Sequence, residues 1–142
     1  PLVITEAAGR ELETYAALLA LCEALALPVV ETPSALFANF PRNHPLHQGN
    51  DIAQLKDQAD LVLVVRTRVP WYPARNRPRE ATVVVLDETP HRDYMAYQSL
   101  QADMYLEGDV ATSLNALAEA VQVAQEVAAQ NGQPRIDWTE IR

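Results

Sequence analysis

The sequence predicts an α/β domain built on a mainly parallel β-sheet, and three observations support this class. Residues 61–65 read LVLVV, an unbroken apolar run that is typical of a strand buried on both faces. Residues 1–32 read as a strand, a turn with one glycine, a long helix and a second strand, which together form a βαβ unit. Residues 110–130 show the apolar spacing of a second long helix. Strands that alternate with helices predict a Rossmann-like three-layer α/β/α domain with about five or six strands.

The first βαβ unit follows from two short β-branched runs on either side of a helical pattern. Pro1–Thr5 (PLVIT) and Pro28–Thr32 (PVVET) are rich in the residues that favour strands. Between them, from Arg10 to Leu27, apolar residues recur at helical spacing. Because Pro28 cannot continue a helix, we expect the helix to end before it.

The middle of the chain is predicted to be less regular. Residues 33–50 contain three prolines and a glycine and show no period, which indicates a long loop. Asp51–Ala59 is predicted to be a short helix, with Asn50 or Asp51 as its N-cap. The apolar strand at Leu61–Val65 follows directly.

The second half of the chain returns to alternating elements. Ala81–Leu86 and Ala102–Leu106 are predicted strands, and Pro90–Tyr97 is predicted to form one or two helical turns between them. The last helix is predicted at Val110–Gln130. Asp109 precedes it and can cap its free N–H groups.

The composition is that of a soluble globular domain and disfavours several functional classes. The 142 residues carry a net charge of -8, which disfavours non-specific binding to nucleic acid or to an anionic membrane. No run approaches the roughly 20 apolar residues that span a bilayer. The single cysteine, Cys22, excludes an internal disulfide and fits a reducing compartment. We therefore expect a cytoplasmic protein.

Two places in the predicted sheet are candidates for binding a nucleotide. The first βα turn, Glu6–Arg10, lies where a Rossmann-like fold holds a pyrophosphate, although Gly9 is the only glycine of the usual three. Asp87 ends the fourth predicted strand, where an acidic residue can bind a ribose hydroxyl. The alternatives are an ordinary tight turn for the first segment and a turn or helix cap for Asp87.

The histidines and the cysteine are weaker candidates for chemistry. His44 and His47 lie three residues apart, but zinc needs more ligands and no Cys or His cluster supplies them. Cys22 falls on the apolar stripe of the first helix, which favours core packing over a nucleophilic role.

The loop after the central strand holds the only concentrated positive charge. Residues 66–80 carry five of the 11 basic residues, with Trp71 and Tyr72 among them. Three interpretations stay open. Guanidinium groups suit a phosphate or carboxylate ligand; Trp, Tyr and Arg are also favoured at interfaces with another domain or subunit; and the loop could simply be solvated. The arginines are Arg66, Arg68, Arg75, Arg77 and Arg79.

The order of several motifs resembles a known family. LPVVETP, FPRNHPLHQG, ADLVLVV and VVVLDETP follow one another from residue 27 to residue 90. Together they resemble the central domain of thiamine-diphosphate-dependent enzymes, in the group of acetolactate synthase, benzoylformate decarboxylase and oxalyl-CoA decarboxylase. FPRNHPLHQG is the most specific piece, since it is similar to that family's FP-x-x-HPL-x-x-G. The resemblance covers about residues 1–130.

The resemblance implies a domain taken from a longer enzyme. In that family, thiamine diphosphate and Mg²⁺ lie between a pyrimidine-binding and a pyrophosphate-binding domain of different subunits, with this domain between them in the chain. The diphosphate and metal motif of the family is absent from this sequence. The resemblance thus implies a central domain at 1–132, a linker at 133–142 to a catalytic domain, and partners in the same polypeptide. It also implies a homo-oligomeric parent enzyme and no catalytic residue in this chain.

The resemblance also implies where a nucleotide would bind, since some members hold FAD or ADP in this domain and others hold none. By position, Gly9 and Arg10 match the nucleotide-side turn, Asp87 the acid after the fourth strand, and Asp109 the segment near the adenine. Arg66 stands where nucleotide-binding members usually have glycine. A long side chain there would crowd a dinucleotide or clamp a shorter phosphate.

The sequence therefore supports one main hypothesis and one alternative. The main hypothesis is a structural central domain of a thiamine-diphosphate-dependent lyase or transferase that is inactive without its catalytic domains. The alternative is a module that binds a nucleotide, FAD or ADP, through the first turn and Asp87.

Overall fold

A single parallel sheet organises the protein. The computed structural model describes residues 1–95 and 101–133. Within these ranges, five strands, all parallel, lie in the order β2-β1-β3-β4-β5. The predicted α/β class and Rossmann-like arrangement are confirmed. The strands are β1 Leu2–Thr5, β2 Val29–Glu31, β3 Leu61–Val65, β4 Thr82–Asp87 and β5 Met104–Glu107.

Two long helices cover one face of the sheet. Helix α1 spans Leu12–Leu25 and α2 spans Val110–Gln130, and both pack on the cluster of buried side chains that includes Val3, Val65 and Leu86. Helix α2 has the predicted bounds. Helix α1 is shorter than predicted, because residues 8–10 form a separate 3₁₀ turn and Ala26 takes a left-handed conformation (φ 53°) that ends the helix before Pro28.

The opposite face is covered by short 3₁₀ helices and loops. The predicted helix at Asp51–Ala59 was wrong as one element, since the segment forms two 3₁₀ helices, Ile52–Gln54 and Lys56–Gln58. Because residues three apart align along a 3₁₀ helix, Ile52 and Leu55 both pack against the second apolar cluster. Of the two predicted N-caps, Asn50 and Asp51, the structure shows Asp51, whose carboxylate accepts a hydrogen bond from the Ala53 N–H.

The loop before these 3₁₀ helices extends the edge of the sheet. His47 pairs with Val29 in a parallel bridge, and Gly49 accepts a hydrogen bond from the Glu31 N–H at 3.0 Å. The segment therefore covers the free edge of β2 with backbone hydrogen bonds, which sequence periodicity did not predict. An edge strand whose polar groups are paired in this way is protected from pairing with other chains.

The remaining predictions fall partly outside the described residues. Of the turns predicted at Pro90–Tyr97, the structure describes residues 90–95, where the Met95 N–H donates to the Arg92 carbonyl at 3.0 Å in a single turn. Most of the predicted linker at 133–142 also lies outside. Neither long helix among the described residues combines the length and apolar character needed to cross a bilayer.

Candidate functional site

The candidate site is a crevice at the carboxyl end of the sheet, where parallel α/β sheets place their ligands. It encloses about 290 Å³. The loops that follow β1, β2, β3 and β4 contribute to its walls. Among the residues predicted from sequence, Arg10, Arg66 and Asp87 line the crevice, whereas Gly9 and Asp109 lie outside its lining.

Arg66 is held at the crevice by hydrogen bonds of both its backbone and its side chain. It directly follows β3 in a left-handed conformation (φ 44°), and its backbone N–H donates to the Leu86 carbonyl at 3.1 Å. Its side chain is 4% exposed. The guanidinium donates through Nε to both carboxylate oxygens of Glu88, at 3.1 and 3.0 Å, and through Nη2 to Glu11 at 2.9 Å. Nη2 also donates to Glu88.

The charges around Arg66 shift the pKa of each partner in the direction expected for an ion pair. Burial alone would lower the pKa of Arg66, but the hydrogen bonds to Glu88 and Glu11 raise it above its usual value. Burial alone would raise the pKa of Glu88, yet the Arg66 guanidinium holds it below its usual range. The hydrogen bond from Arg66 likewise lowers the pKa of Glu11. All three groups therefore stay charged at neutral pH.

Glu6 and Arg68 form a second ion pair in the same crevice. The Glu6 side chain is 4% exposed, and Glu6 accepts hydrogen bonds from the Arg68 backbone N–H at 2.8 Å and from Arg68 Nε at 3.0 Å. The Ser34 hydroxyl donates to the same carboxylate at 2.9 Å. Burial opposes ionisation of Glu6, but the hydrogen bonds from Arg68 outweigh it and lower the Glu6 pKa.

Asp87 ends β4 and is engaged within its own loop. Its carboxylate accepts a hydrogen bond from the Thr89 N–H at 2.9 Å, which is a turn cap. Its other oxygen accepts from Arg92 Nη2; the Asp87 side chain is buried, and Arg92 is partly buried. The capping role that the sequence left open for Asp87 is therefore present in the structure.

The first βα turn holds Gly9 against a distant loop, whereas the hydrogen bonds of Arg10 are local. The Gly9 N–H donates to Asn39 Oδ1 at 2.9 Å, and the Arg10 N–H donates to the Ala7 carbonyl at 3.2 Å. A Cβ atom on Gly9 would lie 1.9 Å from the Ala38 carbonyl oxygen, so glycine allows this close approach of two backbone segments. The Arg10 side chain is half exposed and donates to Glu11 at 3.2 Å.

Asp109 serves as the N-cap of α2, as predicted. Its carboxylate accepts from the Thr112 N–H at 2.7 Å, and this hydrogen bonding lowers its pKa below the usual range. Its structural role is therefore to satisfy the free N–H groups at the start of the helix.

Sequence reasoning missed the ion pairs of the site. It placed Glu6 in the first turn and Glu88 beside Asp87 at the end of the fourth strand, but it paired neither with an arginine. It did not single out Glu11 or Arg92. The available signal was that an acidic residue follows both β1 and β4, the strands on either side of β3. The carboxyl ends of adjacent parallel strands meet at one edge, so these charges had to face the arginines after β3.

The rest of the arginine loop separates into buried and exposed parts. Trp71 is buried in the second apolar cluster, so it packs inside the domain, whereas Tyr72 is exposed. Arg77 donates to Asp103 at 2.7 Å. Arg75 and Arg79 are exposed, and neither forms an ion pair with any residue that the structure describes.

The histidines and the cysteine have separate surroundings. His44 lies 3.2 Å from a Glu23 carboxylate oxygen, and His47 lies 3.6 Å from Glu31. Within residues 1–95 and 101–133, no three His, Cys, Asp or Glu side chains come together in a way that could hold a metal ion. Cys22 is buried in the apolar core, where burial raises the pKa of its thiol, so the prediction of core packing is confirmed.

Comparison with known proteins agrees with this fold. The family model described as "Thiamine pyrophosphate enzyme, central domain" matches residues 1–117. None of the curated proteins matches the chain in sequence.

Solved structures that are similar to the chain include the following three. A thiamin diphosphate-dependent enzyme from Mycobacterium smegmatis has a TM-score of 0.66 at 24% identity. The match covers 84% of this chain and 24% of the chain of that enzyme. A 4-hydroxybenzoylformate decarboxylase from Rhodococcus jostii RHA1 has a TM-score of 0.64 at 23% identity, covering 85% and 24%. A benzoylformate decarboxylase from Polynucleobacter necessarius has a TM-score of 0.58 at 25% identity, covering 86% and 24%. The chain thus spans about a quarter of the length of each of these three proteins.

Proposed function

Because the chain belongs to the family of thiamine pyrophosphate enzyme central domains, we propose that it is the structural central domain of a thiamine-diphosphate-dependent decarboxylase or carboligase. The observation that carries the proposal is the family match over residues 1–117. The three similar solved structures support it, since this chain covers only 24% of the length of each. The parent is a lyase or transferase that cleaves or forms a carbon–carbon bond next to the carbonyl of a 2-oxo acid. Two neighbours are named for benzoylformate and its 4-hydroxy derivative, so aromatic 2-oxo acids are the first substrates to test.

In this proposal the domain contributes no catalytic residue. The pyrimidine-binding and pyrophosphate-binding domains would hold thiamine diphosphate with Mg²⁺, and the cofactor would supply carbanion stabilisation for the chemistry at the substrate carbonyl. Residues 1–132 form the central domain, and residues 133–142 link it to the next catalytic domain. The work of the domain is to space the two catalytic domains within a cytoplasmic homo-oligomer.

The experiment compares the 142-residue chain with the complete polypeptide that contains it. Calorimetry measures binding of thiamine diphosphate in the presence of Mg²⁺, and release of carbon dioxide from benzoylformate measures turnover. We expect binding and turnover from the complete polypeptide and neither from the chain alone. Turnover by the chain alone, or flanking coding sequence without the two catalytic domains, would contradict the proposal.

Within the proposal, the exposed arginines of the loop after β3 contact the rest of the enzyme. Arg75 and Arg79 are exposed, whereas Arg77 is held by Asp103 within the domain. Replacing Arg75 and Arg79 by Ala should weaken assembly of the complete enzyme, measured by sedimentation. Replacing Arg77 by Ala is the control, because it also removes a positive charge from the loop, but one that is already paired with Asp103. Equal effects of the two changes would argue against a docking role for the exposed pair.

A further inference from the structure

We propose that the crevice at the carboxyl end of the sheet is closed to nucleotides, because an internal network of ion pairs centred on Arg66 occupies the groups that would bind one. The family resemblance implies FAD or ADP as a possible ligand of this domain, and the residues present do not fit either. The inference goes beyond the structural role, since a structural domain could still carry a nucleotide.

Three backbone donors of the first βα turn are already engaged. Phosphate groups bind at such turns because N–H groups point at them. Here the Ala7 N–H donates to the Arg66 carbonyl at 3.2 Å, the Gly9 N–H to Asn39 at 2.9 Å and the Arg10 N–H to Ala7 at 3.2 Å. A phosphate placed at this turn would have to break these hydrogen bonds before it formed its own.

The glycine of the turn does not leave room for a ligand. In a dinucleotide site, glycine lets the pyrophosphate approach the backbone closely. The space next to Gly9 is instead filled by the backbone of the loop after β2, because the Ala38 carbonyl oxygen lies 1.9 Å from where a Cβ atom would be. Gly9 therefore serves contact between two segments of the protein.

The positive charge at the crevice is balanced by neighbouring carboxylates. Arg66 is held between Glu88 and Glu11, and Arg68 is held by Glu6. A phosphate that approached either guanidinium would also approach these carboxylates and would be repelled by them. Nη1 of Arg66 has no hydrogen-bond partner among the described residues, but it is fully buried, so a ligand could reach it only after the network had opened.

The acid that would bind a ribose is also engaged, and little space remains. The Asp87 carboxylate accepts from the Thr89 N–H and from Arg92, and its side chain is 3% exposed. The crevice that is left encloses about 290 Å³. Sites for drug-sized ligands usually enclose roughly 300–1,000 Å³, so the crevice lies at the lower limit of that range and is small for FAD, which is larger than such ligands.

The first experiment measures nucleotide binding directly. FAD and ADP are each titrated by calorimetry, at up to millimolar concentration, into the 142-residue chain and into the complete polypeptide. We expect no saturable heat in either case. Saturable binding of either nucleotide that is lost in Asp87→Ala would overturn the proposal. Thiamine diphosphate binding to the complete polypeptide is measured in parallel, so this outcome can be told apart from failure of the structural assignment.

The second experiment tests the network itself. Carboxyl ¹³C NMR follows the titration of Glu88 and Glu6 in the wild-type chain, in Arg66→Gly and in the matched control Arg68→Met. Glycine adopts the backbone conformation of residue 66 freely, so Arg66→Gly removes the guanidinium and relaxes the chain. We expect Arg66→Gly to raise the pKa of Glu88 and leave Glu6 nearly unchanged, and Arg68→Met to do the reverse. Equal titration of Glu88 in the wild-type chain and Arg66→Gly would overturn the proposal.

Discussion

The two ends of the sheet enclose similar volumes with opposite chemistry. The crevice at the carboxyl end and a gap between the sheet and the helices at the amino end each measure about 290 Å³. Guanidinium and carboxylate groups line the first together with apolar side chains such as Leu36 and Phe37, whereas the second is lined by apolar side chains alone. The lining of the second includes Leu21, Leu25, Leu63, Leu117 and Val121.

The difference reflects how each end is built. At the amino end, side chains come from the strands and from the apolar stripes of α1 and α2, whose spacing is fixed by secondary structure. At the carboxyl end, they come from loops, and the ion pairs join residues far apart in sequence, such as Glu6 with Arg68. The amino end therefore depends on apolar burial and the carboxyl end on hydrogen bonds and charge.

The largest expected effect is loss of packing at the amino end. Leu21 is 2% exposed and borders the apolar gap. Leu21→Ala should lower the free energy of unfolding by about 2–5 kcal/mol, because it removes buried apolar atoms and enlarges a gap that already exists. Urea denaturation at low and high salt measures the change, which should not depend on salt. Leu12→Ala, at an exposed position of the same helix, is the control and should have little effect.

A smaller effect is expected from crowding two backbone segments at the carboxyl end. Gly9→Ala places a Cβ atom 1.9 Å from the Ala38 carbonyl oxygen, so the loop must move. We expect a loss of about 1–3 kcal/mol, as for other overpacked sites. Gly108→Ala is the matched control, since its Cβ atom would meet Ser113 Oγ at an ordinary 3.8 Å. Thermal unfolding compares the two, and equal shifts would show that the approach of Ala38 is not what requires glycine.

Loss of the N-cap of α2 should lower the stability less than the change at Gly9. Asp109→Ala removes the acceptor for the Thr112 N–H and should cost about 1 kcal/mol. Asp109→Asn keeps a side-chain oxygen at the same place and should cost much less. If both variants lost the same stability in urea denaturation, the negative charge rather than the hydrogen bond would be the stabilising feature.

The smallest expected effect is the loss of unfolding free energy at acidic pH. The pKa values of Glu6 and Glu88 are lowered in the folded protein from an ordinary 4.5, so each group adds stability above that value that is lost as the pH falls through the folded pKa. Partly exposed pairs such as Arg68–Glu6 typically contribute less than about 1 kcal/mol. The free energy of unfolding, measured from neutral to acidic pH, should therefore fall only below about pH 4.5.

One variant at each end of the sheet separates the contribution of the ion pairs to stability, which depends on pH, from that of apolar packing, which does not. Arg68→Met should flatten the dependence on pH, because Glu6 then loses its charged partner. Leu21→Ala should shift the whole curve downward without changing its slope. A slope that is the same in Arg68→Met and in the wild-type chain would contradict a role for the crevice ion pairs in stability.

Regular elements with a strong period were predictable. The predicted strand Leu61–Val65 and helix Val110–Gln130 have the observed bounds, because β-branched runs and apolar stripes act locally. The two 3₁₀ helices between Asp51 and Ala59 were not predictable from a local pattern. Their shape depends on packing against the apolar cluster that they cover. The Arg66 network was also beyond local patterns. Its partners Glu11 and Glu88 lie 55 and 22 residues away, and the strand order brings them together.

The sequence by itself determined the α/β class, the main elements and the family resemblance, because apolar periodicity and motif order are written along the chain. It also placed positive charge after the central strand. Only the tertiary structure decided that the charges of Arg66 and Arg68 are neutralised within the domain, whereas Arg75 and Arg79 stay exposed. The physical reason is that β1 and β4 lie on either side of β3, so their acidic residues meet the arginines after β3 at one edge of the sheet.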